Sequence, residues 1–209
     1  MGLFSGKKQE VASGSDNVSS ATIITKGSKI TGDIRTNDTL HIDGEVEGNI
    51  IVNNMVVVGK GGVVKGDIKA QKVICSGKIE GAIECESIEI MQNAEVSYSV
   101  VSNIFITGGK YRGEILAKNV LVDTFGSVEN KIQAKEIVVK GVFAGDLACE
   151  ILTTKPSGKI NGNMFVKNIK NEGGLVEGAI GQYKDIFTPE VKELENIEDD
   201  VEDAEIEEK

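Results

Sequence analysis

The stretch Gly109-Lys-Tyr-Arg-Gly-Glu-Ile-Leu-Ala-Lys-Asn-Val-Leu-Val122 sets the fold. Tyr111, Ile115, Ala117, Val120 and Val122 recur in steps of four, two, three and two residues, with Arg112, Glu114, Lys118 and Asn119 among the residues between them. A two-residue period puts successive side chains on opposite faces of an extended chain, whereas a helix places neighbours three and four residues apart. Gly109 and Gly113 cut the run into pieces a few residues long, as corners do. The stretch therefore predicts short strands joined at tight bends.

The same pattern extends along the chain in both directions. Its centre, an apolar-x-Gly-x-apolar unit, recurs around Gly32, Gly48, Gly66, Gly81, Gly113, Gly145, Gly162 and Gly178. Two degenerate copies, Val96–Val100 around Tyr98 and Val128–Ile132 around Asn130, fill the gaps. The steps between centres are 16, 18, 15, 17, 15, 17, 15, 17 and 16 residues. A second Gly often stands four residues before the first, as in 44–48, 62–66 and 77–81. After each unit come a small residue and an apolar pair, as in Ala134 with Ile137 and Val139. A repeat of this length cannot bury its apolar face alone, so it must stack on its neighbours. Three short strands per repeat give a three-sided coil. Ten coils at about 4.8 Å spacing give a single-stranded parallel β-helix roughly 45–50 Å long.

In that arrangement Ile34, Ile50, Ile68, Ile83 and Ile115 point inward and stack coil upon coil. Val52, Ala70, Cys85, Ala117, Ala134, Cys149 and Val166 share a small inward slot beside a corner. The repeat Gly residues take positive φ or allow close backbone approach, and Asn130 replaces one because Asn tolerates that conformation best among other residues. The alternation does not fix the register of the coil around Ser97–Ile106. Outward Asp33, Glu45, Glu47, Asp67, Glu80, Glu84, Glu114, Glu129, Asp146 and Glu177 are expected to form a solvated face paired with Lys of neighbouring coils. His41, between inward Leu40 and Ile42, points outward. Cys75, Cys85 and Cys149 occupy inward positions and are expected to act as small apolar fillers rather than reactive thiols.

The net charge of −10 divides unevenly. Residues 185–209 hold twelve acids against two bases, while residues 1–184 hold 21 of each. The expected organisation is a polar N-terminal segment over 1–20, a β-helix over 21–184 and an acidic tail over 185–209. Both ends are expected to be disordered. In the tail, Thr188–Pro189 reads as a helix start, and Val191, Leu194, Ile197 and Val201 would line one face. Acids crowding the far end oppose the helix dipole, so a helix is expected there only when the tail binds something. At the other end, Met1, Leu3, Phe4, Lys7 and Lys8 form a minimal apolar-plus-basic membrane anchor, weak singly but avid when repeated along a polymer.

Composition excludes several classes. No apolar run reaches the length of a membrane-spanning helix, and no secretory signal is present. An odd count of three Cys without C-x-x-C spacing, together with a single His, indicates neither a disulfide framework nor a metal site. The acidic balance argues against nucleic acid. No catalytic residue and no cofactor are expected, and a cytoplasmic location fits best.

The segments 21–34 (ATIITKGSKITGDI), 41–50 (HIDGEVEGNI) and 77–84 (GKIEGAIE) resemble the bactofilins. The resemblance implies a right-handed β-helix and a nucleotide-independent bacterial cytoskeletal scaffold. It also implies head-to-head and tail-to-tail stacking into filaments without polarity, at the inner face of the cell membrane. Such a scaffold would organise cell shape or cell-wall (peptidoglycan) enzymes. Ten coils are more than that family commonly shows, and the acidic tail is long. Ile180, at the inward position of the last coil, and Phe187, just beyond it, are the expected contacts at the C-terminal junction. The competing class is a trimeric acyltransferase built on a left-handed β-helix. Its hexapeptide repeats hold a steady 18-residue coil, which the varying period here does not match.

Overall fold

The computed structural model describes residues 21–183. The proposed anchor at Met1–Lys8, Phe187 and the acidic tail lie outside the described residues. Every strand pairing is parallel, and the sixteen strands form one continuous sheet that winds through ten layers. Each coil has three sides. Side one begins with the strand Ala21–Ile24, side two with Lys29–Thr31 and side three with Ile34–Thr36. From Glu95 onward the pairing between coils continues through the corners joining sides two, three and one, so that single strands such as Lys110–Val122 cover all three.

The inward columns follow the predicted alternation. On side three the pairings stack Ile50, Ile68, Ile83, Val100, Ile115, Ile132, Leu147 and Met164 in successive coils. None of them is more than 1% exposed. The small slot runs Val52, Ala70, Cys85, Ser102, Ala117, Ala134, Cys149 and Val166. It lies where side three bends into side one, and the narrow corner admits only short side chains. The register that the sequence leaves open is now fixed. Val96 pairs with Tyr111, Tyr98 with Gly113, Ser102 with Ala117 and Phe105 with Val120. Phe105 and Tyr111 meet edge-to-face at 5.2 Å inside that coil pair, a favoured geometry for aromatic rings. The buried Tyr111 hydroxyl lies 2.7 Å from the Tyr98 carbonyl oxygen and 2.9 Å from that of Glu114, and its proton serves both.

The corner between sides two and three carries the repeat Gly. Gly113 and Gly145 have φ of 157° and 139°, and a Cβ on either would collide with the carbonyl oxygen of the residue one coil below, Tyr98 or Asn130. Tyr98 and Asn130 occupy the same column at φ of 88° and 98°. At this lower φ a side chain is accommodated, although left-handed backbone remains costly for Tyr. The residue after each corner position has its own task. Asp33 Oδ1 accepts the Asn49 N–H at 2.8 Å, Asn49 Oδ1 accepts that of Asp67 at 3.1 Å, and Asp67 Oδ1 accepts that of Ala82 at 2.8 Å. Asp146 accepts the side-chain amide of Asn163. The sequence predicts Lys partners for these Asp residues. They instead satisfy N–H groups of the next coil, because at a corner the sheet ladder is interrupted and a short acceptor reaches the orphan donor.

The corner between sides one and two explains the uneven period. Four-residue turns at 25–28, 59–62, 91–94, 123–126 and 155–158 alternate with two-residue bends at 43–44, 76–77, 108–109 and 140–141. Each longer turn closes with a backbone hydrogen bond, such as Gly126 N–H to Asp123 O at 2.8 Å. The physical repeat through the middle of the stack is therefore two coils and 32 residues, seen in 77–108, 109–140 and 141–172.

The three cysteines are buried, and burial pushes their thiols up to about 12. At pH 8 the folded chain is expected to leave all three unreacted with an aromatic disulfide reagent. Release of thiolate chromophore should begin only when denaturant opens the stack.

Candidate functional site at the two ends of the stack

Each inner coil pairs above and below; the end coils do not. Among the described residues, Ala21–Ile24 pairs only with Thr39–Ile42, and Leu175–Gln182 only with Lys159–Asn171. Each end thus offers a row of backbone donors and acceptors of the kind that templates further strands. The C-terminal end is also apolar. Ile169 stacks on Leu152, Val176 on Ile160 and Ile180 on Met164. Those lower partners are buried, whereas Ile169 is 40% and Ile180 63% exposed and Val176 is half-buried. Ile180 therefore holds a core position with no coil above it among the described residues. At the N-terminal end Ile30 and Ile34 are half-buried and pack against the core from one side only.

Ion pairs lace side two between coils. Lys29 Nζ lies 2.9 Å from Glu47, and Lys65 Nζ lies 2.8 Å from Glu45 and 3.2 Å from Glu47. Hydrogen bonds from Lys29 and then Lys65 hold the Glu47 carboxyl at about 2. Near the other end, hydrogen bonds from Lys155 and Lys170 hold Glu172 at about 2. A carboxyl whose pKa is lowered by folding stabilises the fold above its unfolded pKa, and that contribution fades as pH falls toward the folded value. The thermal midpoint is thus expected to fall between about 4.5 and about 2 in acid. The double variant Glu47→Gln with Glu172→Gln should fall less steeply over that window, and salt should flatten both curves.

His41 points outward between buried Leu40 and Ile42 and sits 3.1 Å from Asp43. No group of three or more His, Cys, Asp or Glu suited to a metal ion occurs among the described residues. No helix there is long and apolar enough to cross a membrane. A shallow groove of about 430 Å³ on side two is lined by Lys78, Glu80, Glu95, Lys110, Arg112 and Glu129. These charges largely pair with one another, as Arg112 does with Glu129 at 2.8 Å.

Stacked three-sided coils with open, apolar ends invite comparison with known polymer-forming proteins. A family model described as bactofilin, polymer-forming cytoskeletal, matches residues 22–108 and again residues 97–181. The chain belongs to the bactofilin family. The two matches each cover about half of the stack and share the irregular coil around Tyr98. The chain is also similar to Bactofilin BacP of Myxococcus xanthus (strain DK1622), with 27% identity over 116 residues. That match takes in 54% of this chain and 47% of the relative, so it spans about half the length of each. No solved structure matches the chain. As a bactofilin, this chain is a member of a structural, self-associating family.

Proposed function

We propose that this bactofilin polymerises end to end, without nucleotide, into non-polar filaments that lie on the inner face of the cell membrane and organise cell shape or cell-wall enzymes. The observation that supports it most is Ile180, a core position left 63% exposed on an open strand edge. A second chain placed on that edge continues the hydrogen-bond ladder and buries Ile169, Val176 and Ile180 together. Phe187, a few residues further on, is assigned to the same junction. A stack whose described body carries nearly equal numbers of both charges resists such contact little.

The membrane half of the proposal rests on Leu3 and Phe4 beside Lys7 and Lys8. Two apolar side chains and two charges bind a bilayer weakly, and a filament multiplies that binding by its subunit number. Deleting residues 2–8 is expected to abolish co-sedimentation with anionic liposomes while leaving filaments visible in negative stain. Unchanged co-sedimentation would show that these residues are not the anchor.

A further inference from the structure

The outward side chains of side one differ from those of side two. On side two, strand positions that face solvent are mostly charged, as at Lys29, Glu45, Lys65, Lys78, Lys110 and Arg112, with Val142 and Leu175 as exposed apolar exceptions. On side one, the outward column through successive coils reads His41, Val57, Ile74, Glu89, Ile106, Leu121, Val138 and Thr153. This apolar stripe widens at coils six and nine, while in coils seven and eight the neighbouring positions carry Asn119 and Glu136. Ile104 stands beside Ile106 and is 45% exposed, and Ile151 stands beside Thr153 and is 40% exposed. An apolar patch of this kind on an outer sheet face marks a contact surface.

A row of lysines borders it. Lys118 and Lys135 occupy equivalent places in successive coils at the corner between sides three and one, and Lys167 lies two coils further on, with Glu150 between. None of these three lysines makes an ion pair among the described residues. Tyr183 comes directly after Gln182, which pairs with Val166. The last described residue therefore lies one coil above Lys167, at the edge where the lysines stand.

The segment beyond Tyr183 has matching chemistry. Residues 185–209 carry −10, and Val191, Leu194, Ile197 and Val201 recur at helical spacing. As a helix, Val191 to Val201 would span about 15 Å at 1.5 Å per residue. The three coil steps from Ile151 down to Ile104 span about 14 Å at 4.8 Å each. Length, exit point and charge agree. We propose that the acidic tail of this chain turns back at Tyr183 and lies along side one as a helix. Its apolar face would cover Ile106, Leu121, Val138 and Ile151, and its carboxylates would meet Lys118, Lys135 and Lys167. This does not depend on filament formation.

Carbodiimide coupling of the full-length chain, with peptide mapping by mass spectrometry, tests it. Lys159 is the reference, since it is exposed on side two, away from the stripe. Docking predicts tail carboxylates joined to Lys118 and Lys135 about tenfold more often than to Lys159, because tethering in one geometry raises the local concentration there alone. A yield at Lys159 equal to or above those at Lys118 and Lys135 would overturn the proposal. The variant Leu194→Asp with Ile197→Asp, whose changes lie outside the described strands, should bring Lys118 and Lys135 down to the Lys159 level, and a retained preference would overturn the apolar seat. In an equal mixture of light and nitrogen-15 chains, coupled peptides should be all light or all heavy. Mixed species would place the tail on a neighbouring chain and overturn the assignment to its own.

Discussion

The variant Ile180→Arg is expected to stop assembly at two molecules. Ile180 sits at the outermost core position and is 63% exposed in the single chain, so Arg there leaves the fold intact. At a tail-to-tail junction it would bring two guanidinium groups into one apolar contact. An unpaired charge so buried costs several kcal/mol, and even about 3 kcal/mol raises the concentration needed for that contact roughly 100-fold. The N-terminal ends would still join, so sedimentation should find dimers where the parent chain gives filaments. Monomers would mean that the ends join head to tail, and undiminished filaments would mean that the C-terminal end is not a junction.

A second large effect is expected from the Gly column. Gly145 has φ of 139°, and a Cβ there would press on the Asn130 carbonyl oxygen of the coil below. Backbone cannot yield as a side chain does, so Gly145→Ala should cost about 3 kcal/mol or more. For a chain of this size that is roughly 6–12 °C in thermal midpoint. The counterpart, Asn130→Gly, restores the common residue at a φ of 98° and is expected to hold the midpoint or raise it by a few degrees. Calorimetry of the two variants reads both shifts. Equal midpoints would show that the column does not constrain the backbone as its geometry indicates.

Much of this architecture is legible from residues alone because a β-helix writes its core in the simplest code. Alternation places Ile50, Ile68, Ile83 and Ile115 inward, and the small slot is readable at Ala70, Cys85 and Ala134. The coil at Tyr98 is unreadable because its corner lacks the Gly that marks the others. Its register is set by pairing with the coils on either side, which no local pattern records. The alternating 15 and 17 steps are visible in the sequence, but their cause, long and short turns between sides one and two, needs the strand ends. Asp33 and Asp67 look like surface charges because sequence does not show which N–H group lies one coil above. The outer stripe of side one is hidden for a related reason. In runs such as Val56-Val57-Val58 and Ile137-Val138-Val139 alternation turns the middle residue outward, but only the pairing shows that these middle residues line up in one column. Of the candidate site, Ile180 is legible as the last inward residue, and its exposure reflects the absence of a coil above it among the described residues.

The end of one stack is, on this view, the start of the next. Electron cryo-microscopy of filaments grown from the full-length chain without nucleotide measures it directly. The predicted image is an unbranched filament with strands across its axis and an axial spacing of about 4.8 Å running through every junction. Superimposed on it should be a subunit repeat near 48 Å, doubled where neighbours are inverted. Discrete particles at every concentration, or filaments in which the 4.8 Å spacing runs across the axis, would contradict it.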